Sequence, residues 1–474
     1  NTIDRSFLYV ESARTPMHVG GLAVFDPSGV PFDFVELRAE IGRRLSTARR
    51  YRQTVRWTAG NSRNGGRARW VDDPDFDVRH HVRGVTLPAP GSPAQLQDLV
   101  ATEFARLLDR TRPLWEIVVV DGLSDGGFAL VVKTHHAMVD GVGALDIARV
   151  LLDPADAAPE DRAPQTPSDR LLIAAVGPAG LTRHGLVRHD LVRNGLILGR
   201  RVRQAARATV AGAGLGIVPA PISSLNAPTT AQRRVALART RLRDYRQVAA
   251  GAQCKVNDVV LAVVTAAIRR LLLSRGEKLG PSATVRAMVP IDIRAGAPSE
   301  LGNQVSAFFV DLPIGRSDPL LMLRRVAASM NRLKAMSQPL GPSMGIGLIG
   351  LAPDVLHAAA ARTVNNSTPR FFNVAVSNLI GPTVSLYLGD ARLREMFPLV
   401  PLGDGQSVSV AVASYHGAMA FGINADRAAM PEADRFARWI EQALADLVGA
   451  VGGSTGPAPP GRGGPSTTPL PTPL

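Results

Sequence analysis

Apolar residues along this chain recur with two different periods, and the two kinds of segment alternate in both halves of the sequence. Short β-branched runs between turn residues predict strands, most clearly at residues 19–25, 128–133 and 285–291. Apolar residues three and four positions apart predict helices, most clearly at residues 34–45 and 256–273. This alternation predicts an α/β protein.

Further segments extend the pattern. We predict strands at residues 117–120, 234–242, 303–312, 371–377, 407–414 and 418–424, and helices at residues 96–108, 142–152, 319–336 and 432–448. Residues 78–83 also have strand character, and they carry a His80-His81 pair that we interpret as structural. Asn257 or Asp258 can cap the helix that begins at residue 256, and Asp258 is the preferred cap.

The stretch from Val131 to Gly141 has the strongest chemical pattern. It places His135 and His136 where a predicted strand gives way to a loop. Because successive side chains of a strand point to opposite faces, only one of the two histidines can face a given cavity. One imidazole can act there as a base, with the Asp140 carboxylate nearby in support. A structural histidine pair is an open alternative, and so is a metal site, although no further ligand is visible.

The segment HHAMVDG, from His135 to Gly141, resembles the HHxxxDG signature of CoA-dependent acyltransferases related to chloramphenicol acetyltransferase and peptide-synthetase condensation domains. More narrowly, the chain resembles the bacterial wax ester synthase/acyl-CoA:diacylglycerol acyltransferase family, particularly the actinobacterial triacylglycerol synthases. The resemblance runs in order from about Asp4 to about Leu447. The other stretches that carry it are Phe7-Leu8, Glu11, PMHVG (16–20), WVDDPDF (70–76), PLWE (113–116), VNDV (256–259) and SNLIGP (377–382).

This resemblance implies two similar α/β lobes, each a mixed sheet flanked by helices, that meet at an active-site tunnel. We accordingly divide the chain into an N-terminal lobe (1–152), a linker with a basic crossover (153–230), a C-terminal lobe (231–450) and a disordered tail (451–474). Composition agrees, because an Ala-, Pro- and Asp-rich stretch begins at residue 153 and a Pro- and Gly-rich one at residue 452. The Arg-rich stretch 171–211 is either a packed crossover or a segment that docks on anionic lipid.

The resemblance also implies acyl transfer from a long-chain acyl-CoA to an alcohol, either diacylglycerol or a long-chain alcohol. It assigns the general base to His136, with His135 in support, and needs no covalent acyl-enzyme. An alcohol with a pKa of roughly 16 attacks poorly until a base removes its proton. The oxyanion that then forms needs hydrogen-bond donors, for which Ser377 and Asn378 are the candidates.

Asp140 is expected to be structural rather than the acid of a catalytic triad, because in related folds it pairs with an arginine of the second lobe. Arg294 is the candidate partner, and Gly141 contributes backbone geometry beside it. No cofactor or metal is implied, since acyl-CoA is a co-substrate. A non-catalytic lipid-surface protein of the same fold is the remaining alternative.

Composition and charge limit the partners. The 474 residues suit two domains, and the net charge of +14 favours anionic surfaces such as phospholipid headgroups and the phosphates of CoA. Nucleic acid is not expected, because neither zinc-finger spacing nor an aromatic-basic RNA motif occurs. Cys254 is the only cysteine, the N-terminus has no apolar signal core, and no apolar run reaches the length of a transmembrane helix. We expect a cytoplasmic protein that associates peripherally with the inner face of the membrane or with lipid droplets.

Two other motifs lack the context that their chemistry requires. Residues 341–345 have the GxSxG spacing around Ser343, but a predicted helix and Pro339 precede them where a nucleophile elbow needs a strand. Residues 345–350 match GxGxxG without a preceding strand or a following acid. We interpret this glycine-rich, apolar segment as a lining of the acyl channel.

Overall fold

The computed structural model describes residues 2–27, 33–58, 67–138, 147–148, 150–155, 219–292, 305–337 and 371–454. Its helices are α1 (Thr2–Val10), α2 (Phe34–Ser46), α3 (Pro93–Ala105), α4 (Leu242–Gly251), α5 (Val256–Ser274), α6 (Pro319–Ser337) and α7 (Ala433–Ser454). Its strands are β1 (His18–Phe25), β2 (Gln53–Thr58), β3 (Arg67–Asp72), β4 (Val82–Thr86), β5 (Trp115–Asp121), β6 (Phe128–His135), β7 (Asp153–Pro154), β8 (Arg233–Arg241), β9 (Val285–Asp292), β10 (Val305–Leu312), β11 (Val374–Ile380), β12 (Leu386–Leu388), β13 (Ala391–Leu399), β14 (Val408–Tyr415) and β15 (Ala418–Asp426).

Local sequence signals explain where several helices begin. Asp33 caps α2, since its carboxylate accepts the backbone N–H groups of Val35 and Glu36 at 2.7 and 3.1 Å. Ser92 and Gln95 form a capping box at the start of α3. Lys255 is the N-cap of α5, and the Asp258 carboxylate accepts the backbone N–H of Lys255 at 3.0 Å from the third helical position. Asp258 therefore caps the first turn, as predicted, but from inside the helix and not as the N-cap residue.

The first sheet, sheet I, has the strand order β4-β5-β6-β1-β13-β12-β7 among the described residues. The strand β1 lies at its centre, antiparallel to β6 on one side and to β13 on the other. The two strands β12 and β13 come from the C-terminal half of the chain, and Gly20 of β1 pairs with Leu399 of β13. Sheet I is therefore completed by residues that lie more than 200 positions after its own β6.

The second sheet, sheet II, has the order β10-β9-β11-β14-β15-β8 and mixes parallel with antiparallel neighbours. The helix α5 packs beneath it and is buried almost throughout its length. The helices α4, α6 and α7 pack against α5, so a single apolar core joins sheet II to four helices of the described chain. Burial of this continuous apolar surface is the main stabilising contribution in this half of the protein.

The two sheets are in direct contact through β13 and β15. A Cβ atom at Gly422 would lie 1.8 Å from the carbonyl oxygen of Pro398, so only glycine permits this approach of the two backbones. The Asn424 amide donates to the carbonyl of Val400 at 2.9 Å, and the Ser409 hydroxyl donates to the same oxygen at 2.9 Å. This contact joins sheet I directly to sheet II.

Some predicted elements differ from the structure. Residues 78–83 are not one strand, because Val78–His80 form a 3-10 turn and β4 begins only at Val82. The ribbon of β2 and β3 and the helix α4 were not predicted, because charged residues interrupt their apolar pattern. Residues 153–154 form β7 rather than linker, and α7 continues to Ser454 where a disordered tail was expected. Among the described residues, no helix is long and apolar enough to cross a bilayer.

Candidate active site

The backbone holds the two histidines of the motif firmly. His135 is the last residue of β6, and its N–H donates to the carbonyl of Leu114 at 2.9 Å. The N–H of His136 donates to the carbonyl of Met17, just before β1, at 2.8 Å. These bonds tie the end of β6 to both neighbouring segments, so the position of the pair depends on the centre of sheet I.

The environment of His135 makes it unsuitable as a base. Its side chain is completely buried. Its Nδ1 accepts the backbone N–H of Ala137 at 3.0 Å, which places the ring proton on Nε2. With Nδ1 engaged and Nε2 turned toward a buried carboxylate, this imidazole has no lone pair available for a substrate.

The environment of His136 is different. This residue is only half-buried, and its imidazole lies against the ring of Phe7 in α1, with centroids 3.9 Å apart and planes inclined by 13°. The structure thus separates the pair into one enclosed and one partly accessible imidazole. That arrangement meets the basic requirement for His136 to reach a substrate, although its role as the base stays a prediction.

A buried carboxylate, Glu11, lies beneath the pair. Its Oε2 accepts bonds from Nε and Nη2 of Arg110 at 3.0 and 2.7 Å, and its Oε1 accepts the N–H of Met17 at 3.1 Å. Nε2 of His135 lies 3.4 Å from Oε1, at the outer limit of hydrogen-bond distance, so we treat this contact as mainly electrostatic. Burial opposes ionisation, but His135 and Arg110 outweigh it and hold the pKa of Glu11 well below its usual range.

A third histidine, His18, approaches the same oxygen. It lies directly opposite His135 in the β1–β6 ladder, and its Nε2 is 3.7 Å from Oε1 of Glu11. Burial, together with the charge of Lys133, lowers the pKa of His18 to about 3. His18 is therefore neutral at physiological pH. The described residues contain no cluster of three His, Cys, Asp or Glu side chains arranged to hold a metal ion.

A buried ion-pair network continues along the same face of sheet I. The fully buried Lys133 places its Nζ 2.9 Å from Oε2 of Glu116, and it donates to the carbonyl of Glu103 at 3.0 Å. Burial lowers the pKa of Lys133, whereas its charge overcomes the burial of Glu116 and lowers the pKa of that carboxyl to about 2. The side chains of Arg83 and Arg106, which are partly exposed, each form ion pairs with the carboxylates of both Glu103 and Glu116.

The candidate oxyanion donors lie on β11 in sheet II. The Asn378 amide donates to Oδ1 of Asn257 at 3.1 Å, which connects the SNLIGP stretch to the first turn of α5. Ser377 is buried beside it. The structure thus brings two of the family-like stretches together, and the oxyanion role of Ser377 and Asn378 stays a prediction.

Several predicted residues lie outside the described part of the chain. These are Asp140, Gly141 and the candidate partner Arg294, as well as Ser343 and the Arg-rich stretch 171–211. The Asp140–Arg294 pair therefore stays a prediction.

An apolar cavity of about 50 Å³ lies where the two sheets meet. From sheet I it is lined by residues 20–23 of β1 and 396–398 of β13, and from sheet II by Leu379 and Ala413. Val132 of β6 and the helical residue Ile147 also line it, so residues on both sides of the histidine motif in the sequence contribute to the cavity.

Sequence reasoning did not assign a role to Phe7, Glu11, His18 or Arg110. Three of them lie in the stretches of residues 7–8, 11 and 16–20 that resemble the family, so the resemblance contained a signal for them. Arg110 had no such signal, because its contact with Glu11 joins residues 99 positions apart.

The fold defines the class of this protein. It is similar to a starter condensation domain of rhizomide synthetase, with a TM-score of 0.53 and 16% identity over 94% of this chain and 93% of that one. This likeness, which concerns the fold alone, confirms the predicted two-lobed α/β architecture of the chloramphenicol acetyltransferase type.

The family follows from closer matches. The wax ester synthase/diacylglycerol acyltransferase catalytic domain matches residues 1–260, and the C-terminal domain of the same family matches residues 301–448. The chain therefore belongs to the wax ester synthase/diacylglycerol acyltransferase family, as the resemblance predicted.

Individual relatives agree with this assignment. The probable diacylglycerol O-acyltransferase tgs2 of Mycobacterium tuberculosis is 33% identical over 465 residues, which cover 95% of this chain and 98% of the relative. The probable diacylglycerol O-acyltransferase tgs1 of the same organism is 32% identical over 450 residues, covering 94% and 95%. The solved wax ester synthase/diacylglycerol acyltransferase from Marinobacter aquaeolei VT8 has a TM-score of 0.70 and 27% identity, covering 95% of this chain and 99% of that one.

Proposed function

We propose that this protein transfers a long-chain acyl group from acyl-CoA to the free hydroxyl of diacylglycerol, giving triacylglycerol and CoA. The names of its relatives in Mycobacterium tuberculosis support this acceptor. The structural observation that carries the mechanism is the contrast between the enclosed His135 and the partly accessible, backbone-held His136.

In the proposed reaction, the neutral imidazole of His136 removes the proton of the acceptor hydroxyl as the oxygen attacks the thioester carbonyl. Such general-base assistance contributes roughly a hundred- to ten-thousand-fold in rate. The attack forms a tetrahedral oxyanion, for which Ser377 and Asn378 are the candidate donors. The C–S bond then breaks, and the imidazolium returns its proton to the departing CoA thiolate. No covalent acyl-enzyme is formed.

The apolar cavity at the sheet junction is our candidate for the end of the acyl chain. Its lining is almost entirely aliphatic, aromatic or glycine, which suits methylene groups. Its volume of about 50 Å³ is far below the roughly 300–1,000 Å³ of pockets that enclose a whole drug-sized ligand. The cavity therefore accommodates a chain terminus rather than a complete chain.

We further propose that the substrates are met at an anionic lipid surface, either the membrane or a lipid droplet. The formal net charge of +14 supports this location, because cationic side chains are attracted to phospholipid headgroups. Sedimentation with vesicles that contain anionic lipid should weaken as salt is added, and also when Arg200, Arg201 and Arg203 are replaced. Binding that is insensitive to salt would contradict this part of the proposal.

A side-by-side acceptor assay tests the function. The full-length protein is given radiolabelled palmitoyl-CoA with either a diacylglycerol or hexadecanol, and the triacylglycerol and wax ester products are separated. We expect triacylglycerol as the main product. A predominance of wax ester would instead support the alternative fatty-alcohol acceptor, and vesicle binding without activity on either acceptor would support a non-catalytic lipid-surface protein.

The mechanism is tested by His136→Ala, which should lower kcat by roughly a hundred- to ten-thousand-fold. The exposed His80 offers a matched control, because His80→Ala removes an imidazole from the 3-10 turn before β4. Circular dichroism and the unfolding midpoint establish that both variants fold. Full activity of folded His136→Ala would exclude His136 as the base.

A further inference from the structure

The N-terminal segment from α1 to β1 contacts His136 at two separate points. The ring of Phe7, in α1, stacks on the imidazole at 3.9 Å. The carbonyl of Met17, just before β1, accepts the backbone N–H of the same residue at 2.8 Å. The orientation of the imidazole therefore depends on the distance between Phe7 and Met17, which lie ten residues apart in the sequence.

Glu11 lies between these two points and is bonded toward both. Its Oε1 accepts the backbone N–H of Met17 at 3.1 Å. Its Oε2 binds Arg110 through Nε and Nη2 at 3.0 and 2.7 Å. Nη2 of Arg110 also donates to the carbonyl of Leu8 at 2.9 Å, next to Phe7. One carboxylate thus connects the helix that stacks on His136 to the residue that holds its backbone.

The charges around Glu11 favour a fixed carboxylate. Its side chain is 3% exposed, and Arg110 is the permanent cation that compensates it. The two imidazoles that face it are His135, with Nε2 at 3.4 Å, and His18, with Nε2 at 3.7 Å. Lys133 acts on His18 from the neighbouring network. A carboxamide at position 11 would keep the shape of the side chain but would remove its negative charge. Among the described residues, the other anion that acts on His18 is Glu116 of the neighbouring network.

We propose that Glu11 is a positioning residue for the acyl transfer. It joins the backbone N–H of Met17 to Arg110, which in turn binds the Leu8 carbonyl of α1. In this way it sets the orientation of the His136 imidazole between Phe7 and Met17. This inference rests on the proposed function, because it takes His136 as the base. Glu11 does not contact the reacting atoms. Its carboxylate lies 3.4 Å from Nε2 of the adjacent His135, and we expect this negative charge to favour the imidazolium that forms when His136 accepts the hydroxyl proton.

The test compares Glu11→Gln with the wild type in the palmitoyl-CoA and diacylglycerol assay. We expect kcat to fall by about a hundredfold with KM within about twofold, because a misplaced base affects the chemical step and leaves substrate binding intact. The acid limb of the kcat/KM profile, which reports the base of the free enzyme, should move to lower pH because the carboxylate beside the adjacent His135 loses its charge. A purely structural role would leave that limb in place.

Glu116→Gln is the matched control, since it also removes a carboxylate with arginine partners, 14% exposed, that contacts none of the three histidines among the described residues. It should lower the unfolding midpoint while leaving kcat and the acid limb close to those of the wild type. Glu11→Asp retains the charge with a shorter reach, so kcat should fall by about tenfold with the acid limb unchanged. This variant decides the question if Glu11→Gln does not fold.

The inference is overturned if either folded Glu11 variant has wild-type kcat, or if the losses in Glu11→Gln and Glu116→Gln simply follow their losses of stability. The proposed mechanism fails under a different result, namely if folded His136→Ala remains active. An inactive His136→Ala together with a fully active Glu11→Gln would refute the role of Glu11 alone.

Discussion

The imidazole of His136 lies flat against the phenyl ring of Phe7, with only 13° between the two planes. The contact joins the first helix of the chain to the motif at the end of β6, which is more than 120 residues away. An aromatic face of this kind restricts the rotation of the imidazole, and it also attracts the imidazolium that a proton transfer creates.

Replacement of Phe7 should therefore slow the reaction without abolishing it. A stacked aromatic pair is worth about 0.5–1.5 kcal/mol, so we expect Phe7→Leu to lower kcat by roughly two- to tenfold. Phe7→Tyr keeps the ring and should stay near the wild-type rate. Steady-state kinetics with palmitoyl-CoA and diacylglycerol measure both variants, and equal rates for Leu and Tyr would show that the stacking has no kinetic role.

The neutral state of His18 predicts a specific pH dependence of stability. Its pKa is about 3 in the folded protein and 6.5 in the unfolded chain, so between these values the unfolded state binds more protons. The titration of His18 therefore leaves the free energy of unfolding unchanged above about pH 6.5. Below that value it lowers the free energy of unfolding progressively as the pH falls toward 3. We expect a slope of roughly 1.4 kcal/mol per pH unit between about pH 4 and pH 6.

Urea unfolding of the wild type and of His18→Leu at several pH values measures this slope. The difference between the two unfolding free energies should change with pH in the direction given above, with the wild type losing more stability on acidification. Parallel pH curves for the two proteins would mean that His18 titrates normally in the folded state.

The Lys133–Glu116 pair predicts unequal costs for removing its two members. Glu116→Gln leaves a fully buried ammonium with only the more distant Glu103 carboxylate at 3.8 Å, so we expect a loss of about 3 kcal/mol. Lys133→Met leaves Glu116 in contact with Arg83 and Arg106, so the loss should be about 1 kcal/mol. Urea unfolding at pH 7 compares the two variants. A larger decrease in the free energy of unfolding for Lys133→Met than for Glu116→Gln would contradict this description of the network.

The centre of sheet I depends on a glycine. A Cβ atom at Gly20 would lie 1.9 Å from the carbonyl oxygen of Val132, a backbone atom that cannot move away without breaking the β1–β6 pairing. We expect Gly20→Ala to cost about 2–4 kcal/mol. Gly280→Ala is the control, since nothing lies within 4 Å of its Cβ position and its effect should stay within about 0.5 kcal/mol. Similar unfolding free energies for the two variants would show that sheet I can adjust at this position.

Elements with a strong local pattern were predicted almost to the residue. The helix α5 was expected at residues 256–273 and occurs at Val256–Ser274, because its cap and its apolar residues are close in sequence. The strand β6 was expected at residues 128–133 and continues to His135. In both cases the apolar pattern that marks the element lies within the segment itself, which is the information that periodicity contains.

The pairing of β13 with β1 could not be predicted in the same way. The strand Ala391–Leu399 alternates imperfectly and contains Pro398, and its partner lies more than 360 residues earlier in the sequence. Whether such a strand pairs with β1 depends on the apolar surface that the completed sheet buries, and no local pattern records that surface.

The sequence by itself determined the α/β class, most of the helices and strands, the family, and the position of two adjacent histidines at the end of a strand. It could not distinguish the surroundings of the two imidazoles, because both belong to the same motif. Only the tertiary structure decided that His135 is enclosed above Glu11 while His136 stays partly accessible beside Phe7. The physical reason is that burial and charge at this site come from segments far apart in the chain, which meet only when sheet I has formed.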